Sequence, residues 1–382
     1  QWRAGHDLTP AAAKDLAAWI AAHANHRDAW TARKALVQAY LELDAREAPP
    51  EADADLGEHE RSALSGVTAA VAAAPSPQEA RAIVYDAWKR IQARYVPAGA
   101  HEALAAALEA LLEPAALPRD ARRKLRVELA SARIEIALSR LTRLAEAGEL
   151  PEGDMPDVLA AAVAACDAVN RQFPAEPIWG RRAGLSHRVL GLAGRVPWPP
   201  SIDSLKAPQQ WAVEIALPVI QSHADPKAVR QALAVIAAIR SEDRPADMEN
   251  RWSLVRLLAG LQERVAAAIP EESPHRAGEY WALARLAHEV AQAEFSRNVS
   301  DGRDEANAEL SDAQKTMIDA LARLVENHAA KGPEAASFLR DHLAPWVARN
   351  HYAAAEAAYE ALLAALREQE QRRVRLEIAA LR

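Results

Sequence analysis

Five arginines, Arg119, Arg122, Arg126, Arg133 and Arg140, fall on one side of the stretch 118–147. Wound at about 3.6 residues per turn, they occupy an arc of roughly 60°. Three more, Arg181, Arg188 and Arg195, recur at seven-residue steps after Pro177. Arginine presents a planar fork of donors that matches carboxylate and phosphate oxygens. Two readings follow. The arginines are solvated, or paired with glutamates of adjacent helices; or they line the concave side of a helical stack and hold an acidic peptide or a carboxylate terminus. In the second case both sets point into one space, because stacked hairpins present equivalent faces to one side.

Other reactive residue types are sparse. His23 and His26 stand three apart at a helix end, with no third metal ligand implied. Glu272 and His275 flank Pro274 and read as capping and surface residues. Cys166 sits among alanines and valines, the setting of a small buried hydrophobe. Asn298, Val299 and Ser300 make a formal glycosylation sequon. No phosphate loop, dinucleotide fingerprint or zinc-protease motif occurs, so no cofactor or metal is expected.

The elements that must position the arginines are helices. Ala, Leu, Arg and Glu dominate the 382 residues, and all favour helix. Capping residues followed by proline mark helix starts at Thr9-Pro10, Ser76-Pro77, Asp225-Pro226 and Ser273-Pro274. Ser76 with Glu79 forms a capping box. These signals and the apolar periodicity predict helices near 10–24, 28–44, 59–74, 77–95, 100–112, 118–147, 155–172, 177–194, 208–223, 226–240, 246–268, 274–297, 303–330, 333–349 and 353–381. Within 118–147, Val127, Ala130, Ile134, Leu138, Leu141 and Ala145 form one apolar stripe, and Leu125, Leu129, Ala132 and Ile136 a second. That helix is expected to be packed on two sides. Gly180, Gly184 and Gly191 suggest close backbone approach.

Two connections are longer than the rest. Residues 45–58 read as a solvated acidic loop. Residues 196–208 hold four prolines and one tryptophan, which favours extended backbone. They read as a rigid linker between helical halves 1–195 and 209–382, with a proline-rich partner motif as the sharper alternative.

From Gly332 to Leu366 the chain reads as two helices joined by a tight turn. Tyr352, Ala355 and Tyr359 resemble the second helix of a tetratricopeptide repeat, in which a small residue lets two helices approach. The family's small first-helix residue and closing proline are replaced here by Leu343 and Arg367. The resemblance implies an all-α fold of stacked antiparallel helical hairpins, an α-solenoid with a right-handed superhelix, and with it a non-catalytic protein-interaction scaffold. Ten tryptophans beside three phenylalanines read as inter-helix packing. As a sugar-lining set they lead instead to a toroid of helical hairpins with carbohydrate-active chemistry, which needs two carboxylates across the scissile bond. Asp53/Asp55, Glu271/Glu272 and Asp301/Asp304 are the acidic loops on offer.

A formal charge of −7 argues against a nucleic-acid binder, leaving a protein or acidic peptide as the partner. No apolar run is long enough to span a bilayer. A lone cysteine excludes an intrachain disulfide and fits either the cytosol or a cell-envelope compartment. The chain starts at Gln1 without a signal-like segment, as a processed or excised protein would. The stripe Val374, Ile378 and Leu381 runs on to the last residue, which suggests a natural chain that continues and possible self-association through 353–382.

Overall fold

The computed structural model describes residues 9–382 except 115, 244 and 303–308, and residue 369 by its backbone alone. Sixteen α-helices and two 3-10 turns make up the regular structure, with no strand among the described residues. Contacts divide the chain into two compact units at 188/189.

The first unit contains α1 (Pro10–Ala22), α2 (Ala29–Asp44), α3 (Glu58–Ala72), α4 (Pro77–Ala98), α5 (His101–Leu112), α6 (Arg119–Ala147), α7 (Asp157–Gln172) and most of α8 (Trp179–Gly191). From α1 to α7 each helix packs on its successor, and α2–α4, α3–α5 and α4–α6 also touch. The caps act as the sequence implies. Thr9 Oγ1 accepts from the Ala12 N–H at 3.2 Å, and Ser76 Oγ from the Glu79 N–H at 3.3 Å. Gly99 and Gly148 end α4 and α6 at φ 70° and 72°, where a Cβ would be strained. Helix α6 is buried on two sides, through Leu125 and Ala132 on one stripe and Ala130, Leu138 and Leu141 on the other.

The second unit contains a 3-10 turn (Leu192–Arg195), α9 (Ala207–Ser222), α10 (Pro226–Arg240), α11 (Met248–Ala268), α12 (Arg276–Ser300), α13 (Asp312–Asn327), α14 (Gly332–Val347), α15 (Tyr352–Leu363) and α16 (Glu368–Leu381). Helix α9 packs on α10 and α11, and α11 to α16 pack in succession, with α13–α15 and α14–α16 also in contact. Asp225 caps α10, and Ser311 with Gln314 forms a full capping box on α13. Asn350 turns the chain into α15 at φ 64°, a conformation that asparagine tolerates. Ala355 is fully buried and Tyr359 nearly so, whereas Tyr352 is exposed.

By contacts the division falls inside α8, at 188/189, which puts the proline-rich segment 196–208 with the second unit. That proline-rich segment packs within the second unit, where Ile202 is buried and its N–H donates to Asn250 Oδ1 at 2.8 Å. Asn250 Nδ2 in turn donates to the Pro200 carbonyl. Several expectations are corrected. Helix α12 begins two residues after Pro274, with Ser273 Oγ accepting from the His275 N–H. The capping box of α4 forms by its Ser76 half. Gly184 and Gly191 face open space rather than a close neighbour. The predicted helix 303–330 is α13, beginning at Asp312; residues 303–308 lie outside the described set. The helix expected over 353–381 is two helices. Gln371 Nε2 donates to the Leu363 and Leu366 carbonyls at 3.3 and 2.8 Å, closing α15 with a side chain in place of glycine or proline. Val374 and Ile378 are consequently buried against Leu339, Tyr359 and Leu362 of their own unit, so they are no free stripe for a second copy.

Candidate functional site

Helix α6 lies against α5 on one side, and side chains of α8 reach its other side. On the first, Arg133 pairs with Glu109 at 2.6 Å, and Arg140 pairs with Glu102. On the second, Arg188 holds Glu135 through two N–H groups at 2.6 and 3.0 Å, while Arg181 donates to Ser131 Oγ. Residues 131 and 135 lie roughly 140–200° round the helix from 133 and 140 at 100° per residue. The two arginine sets therefore approach opposite faces of α6, and the expectation of one shared space is corrected. The remaining arginines are also spread. Arg119 lies over the Phe173 ring at 5.9 Å, and Arg122 donates to the Pro114 carbonyl at 3.0 Å. Burial, and then the charge of Arg122, lowers the Arg126 guanidinium from its ordinary value. Its Nε finds no partner. Arg195 ends the 3-10 turn of the second unit.

Arg140 and Arg188 nevertheless meet at one place. A cavity of about 660 Å³ in the first unit is lined by Arg140, Arg143 and Arg188 with His101, Ser139 and Thr142, and edged by Asp53 and Glu102. The C-terminal half of α6 supplies four of these residues, and the first turn of α5 supplies His101 and Glu102. The Arg188 hydrogen bonds hold the Glu135 carboxyl below its ordinary range, with burial opposing and His101 adding to the effect. Arg143 makes no ion pair among the described residues. His101 Nδ1 is buried without a partner. The arrangement offers one unengaged guanidinium, two that can exchange a glutamate for another anion, two hydroxyls and an imidazole. That set suits carboxylates. Sequence reasoning missed Arg143 and His101. Arg143 follows Arg140 by three residues, so its place beside the strip was legible; His101 was not, being 39 residues from Arg140.

A second cavity, of about 690 Å³, lies in the second unit between α9, α11 and residues 201–205. Trp252, Arg256, Gly260 and Arg264 line it at four-residue steps along α11, facing Asp203 and Glu214. Arg256 and Arg297 lie over the Trp252 ring at 4.7 and 5.3 Å. The four-residue spacing was the available signal. Among the described residues no group of three or more side chains is placed to hold a metal ion. His23 stacks on Trp19, and His26 Nδ1 accepts from the Asp28 N–H. Cys166 is fully buried, and burial first of all pushes its thiol up to about 11, which removes thiolate reactivity near neutrality. No helix is long and apolar enough to cross a membrane among the described residues.

No protein-family model matches the chain, and no curated protein matches it.

Proposed function

We propose that the chain is a non-catalytic protein-interaction scaffold, a right-handed α-solenoid of tetratricopeptide-like antiparallel hairpins that holds an acidic peptide through its first unit. The convergence of Arg140, Arg143 and Arg188 on one cavity carries this reading. The run of neighbour and next-but-one helix contacts within each unit supports the architecture, since repeat arrays are held together in this way.

The test is fluorescence anisotropy of an acidic peptide panel against the protein and its Arg140→Gln/Arg143→Gln variant. Arg140 and Arg188 are about half exposed, at 50% each, so screening limits the effect of each charge. The double variant is expected to bind about tenfold more weakly, about 1.4 kcal/mol. Binding by the parent should weaken further as salt rises from low to moderate concentration. An Arg81→Gln control, which breaks the exposed Arg81–Asp120 pair on α4 and α6, should bind as the parent does. Equal binding by all three proteins, or none by the parent, overturns the peptide assignment.

The second unit supports one competing reading. Asp203 and Glu214 share a cavity with Trp252, and a pair of carboxylates is what glycoside hydrolysis uses. This reading expects reducing-end release from a polysaccharide panel, lost in Glu214→Gln. No release by the parent removes it.

A further inference from the structure

Helices α12 and α14 meet through a ladder of rings. Trp281, His288 and Phe295 recur every seven residues on α12; Phe338, His342 and Trp346 recur every four on α14. Trp281 lies 5.2 Å from Phe338, His288 lies 5.2 Å from Phe338 and 4.8 Å from His342, and Phe295 lies 4.1 Å from Trp346, ring centre to ring centre. At the middle rung the His288 and His342 Nδ1 atoms are 2.6 Å apart. His342 is fully buried, and its Nε2 has no partner. Gln292 on α12 donates to the His342 carbonyl at 3.3 Å. His351, at the head of α15, closes the ladder edge-on to Trp346 and Phe295.

We infer that the His288–His342 pair is an acid-sensitive joint: with His288 donating and His342 accepting, it holds α14 to α12 while His342 is neutral, and it opens when His342 takes up a proton. A contact of 2.6 Å between two ring nitrogens requires one N–H and one lone pair. Adding a proton to the accepting ring places two N–H groups and a positive charge at that contact. No compensating acceptor is at hand, because His342 is buried and its Nε2 has no partner. Opening solvates the imidazolium and exposes Phe295 and Trp346.

The surroundings do not rescue the charge. His288 is the only ionisable group that acts on His342, and Glu289 of α12 the only one that acts on His288, among the described residues. Arg349, following α14, lies over Phe295 at 5.9 Å and is itself a cation. His351 adds a third imidazole at the α15 end. Glu289 favours the charged form of His288, but burial outweighs it and holds that ring below its ordinary value. Burial, and then His288, depresses His342 to about 3. The sign follows from linkage: the pair's stabilisation is complete above the unfolded value of 6.5 and is lost as pH falls below it.

Amide hydrogen exchange of α12 and α14, corrected for the intrinsic rate, tests the joint on the full chain. Protection of α14 is expected to fall about thirtyfold between pH 7.5 and pH 5, the linkage factor for one proton taken up only on opening. His342→Asn, which cannot take up that proton, should flatten the profile. Should that variant not fold, nitrogen-15 spectra of the histidine-labelled parent decide instead: the His342 ring stays neutral at pH 5 if the joint is as described. A parent profile that is flat, or as steep in His342→Asn as in the parent, overturns the inference. So does a His342 ring that titrates near 6.5.

Discussion

Replacing Arg94 with methionine is expected to destabilise the first unit by about 3–5 kcal/mol at pH 8, the range seen when one partner of a buried charge cluster is removed. Arg94 is the cation of a buried acidic cluster. Its Nε lies 3.3 Å from Asp44 and 3.6 Å from Glu60, whose side chains are 6% and 0% exposed. Its other nitrogens donate to the Asp44 and Ala48 carbonyls at 2.6 and 2.9 Å, tying the start of the 45–57 loop to α4. Tyr95 Oη and the Gly57 N–H both donate to Glu60. Asp44 Oδ1 and Glu60 Oε1 find no donor among protein groups, a need that a proton shared by the two carboxyls meets.

Burial, followed by the charge and hydrogen bond of Glu60, pushes the Asp44 carboxyl up to about 7, with Arg94 opposing. Asp44 thus binds its proton more tightly folded than unfolded. The stability it contributes is complete below its unfolded value of 3.8, falls as pH rises and is gone above about 7. Two consequences separate this cluster from ordinary packing. The Arg94→Met deficit should shrink at pH 5, where Asp44 is protonated and one negative charge is gone. Asp44→Asn, which imitates the neutral acid, should be about 2–4 kcal/mol more stable than the parent at pH 8, since each tenfold change in proton affinity is worth about 1.4 kcal/mol. That advantage should narrow towards pH 5. Urea midpoints at the two pH values measure both variants. Differences that do not change with pH would show that the carboxyls do not share a proton.

Val374→Asp is the second large effect expected. Val374 and Ile378 are 2% and 7% exposed on α16, inside the core formed with Leu339, Leu343, Tyr359 and Leu366. A carboxylate there gives up apolar packing and is only partly offset by Arg340 and Arg373 across the adjoining cavity, so a loss of about 2–4 kcal/mol from the second unit is expected. Leu376 on the same helix is 72% exposed. Leu376→Asp should change stability by no more than about 0.5 kcal/mol. Thermal melts by circular dichroism compare the two. If Val374→Asp melts like the parent and only lowers the molecular mass seen in light scattering, the stripe belongs to an interface between copies and not to the unit's own core.

The sequence by itself determined the helices and most of their beginnings. Thr9, Ser76 and Asp225 bond to N–H groups two or three residues away, and apolar periodicity is read within a few turns; both are local properties of the chain. The burial of α6 on two sides was legible for the same reason. What only the tertiary structure decided depends on residues far apart in sequence. The break between α15 and α16 has no glycine or proline to announce it, because Gln371 closes α15 and Leu366 packs against Gly332. The arginines were correctly placed on one strip of α6, but their partners come from α5 and α8, and which strip meets which neighbour is set by packing. His288 meets His342 across 54 residues and Arg94 meets Asp44 across 50. Periodicity tells which side of a helix is apolar; it carries no information on which other helix covers that side, and the buried polar contacts follow from that choice.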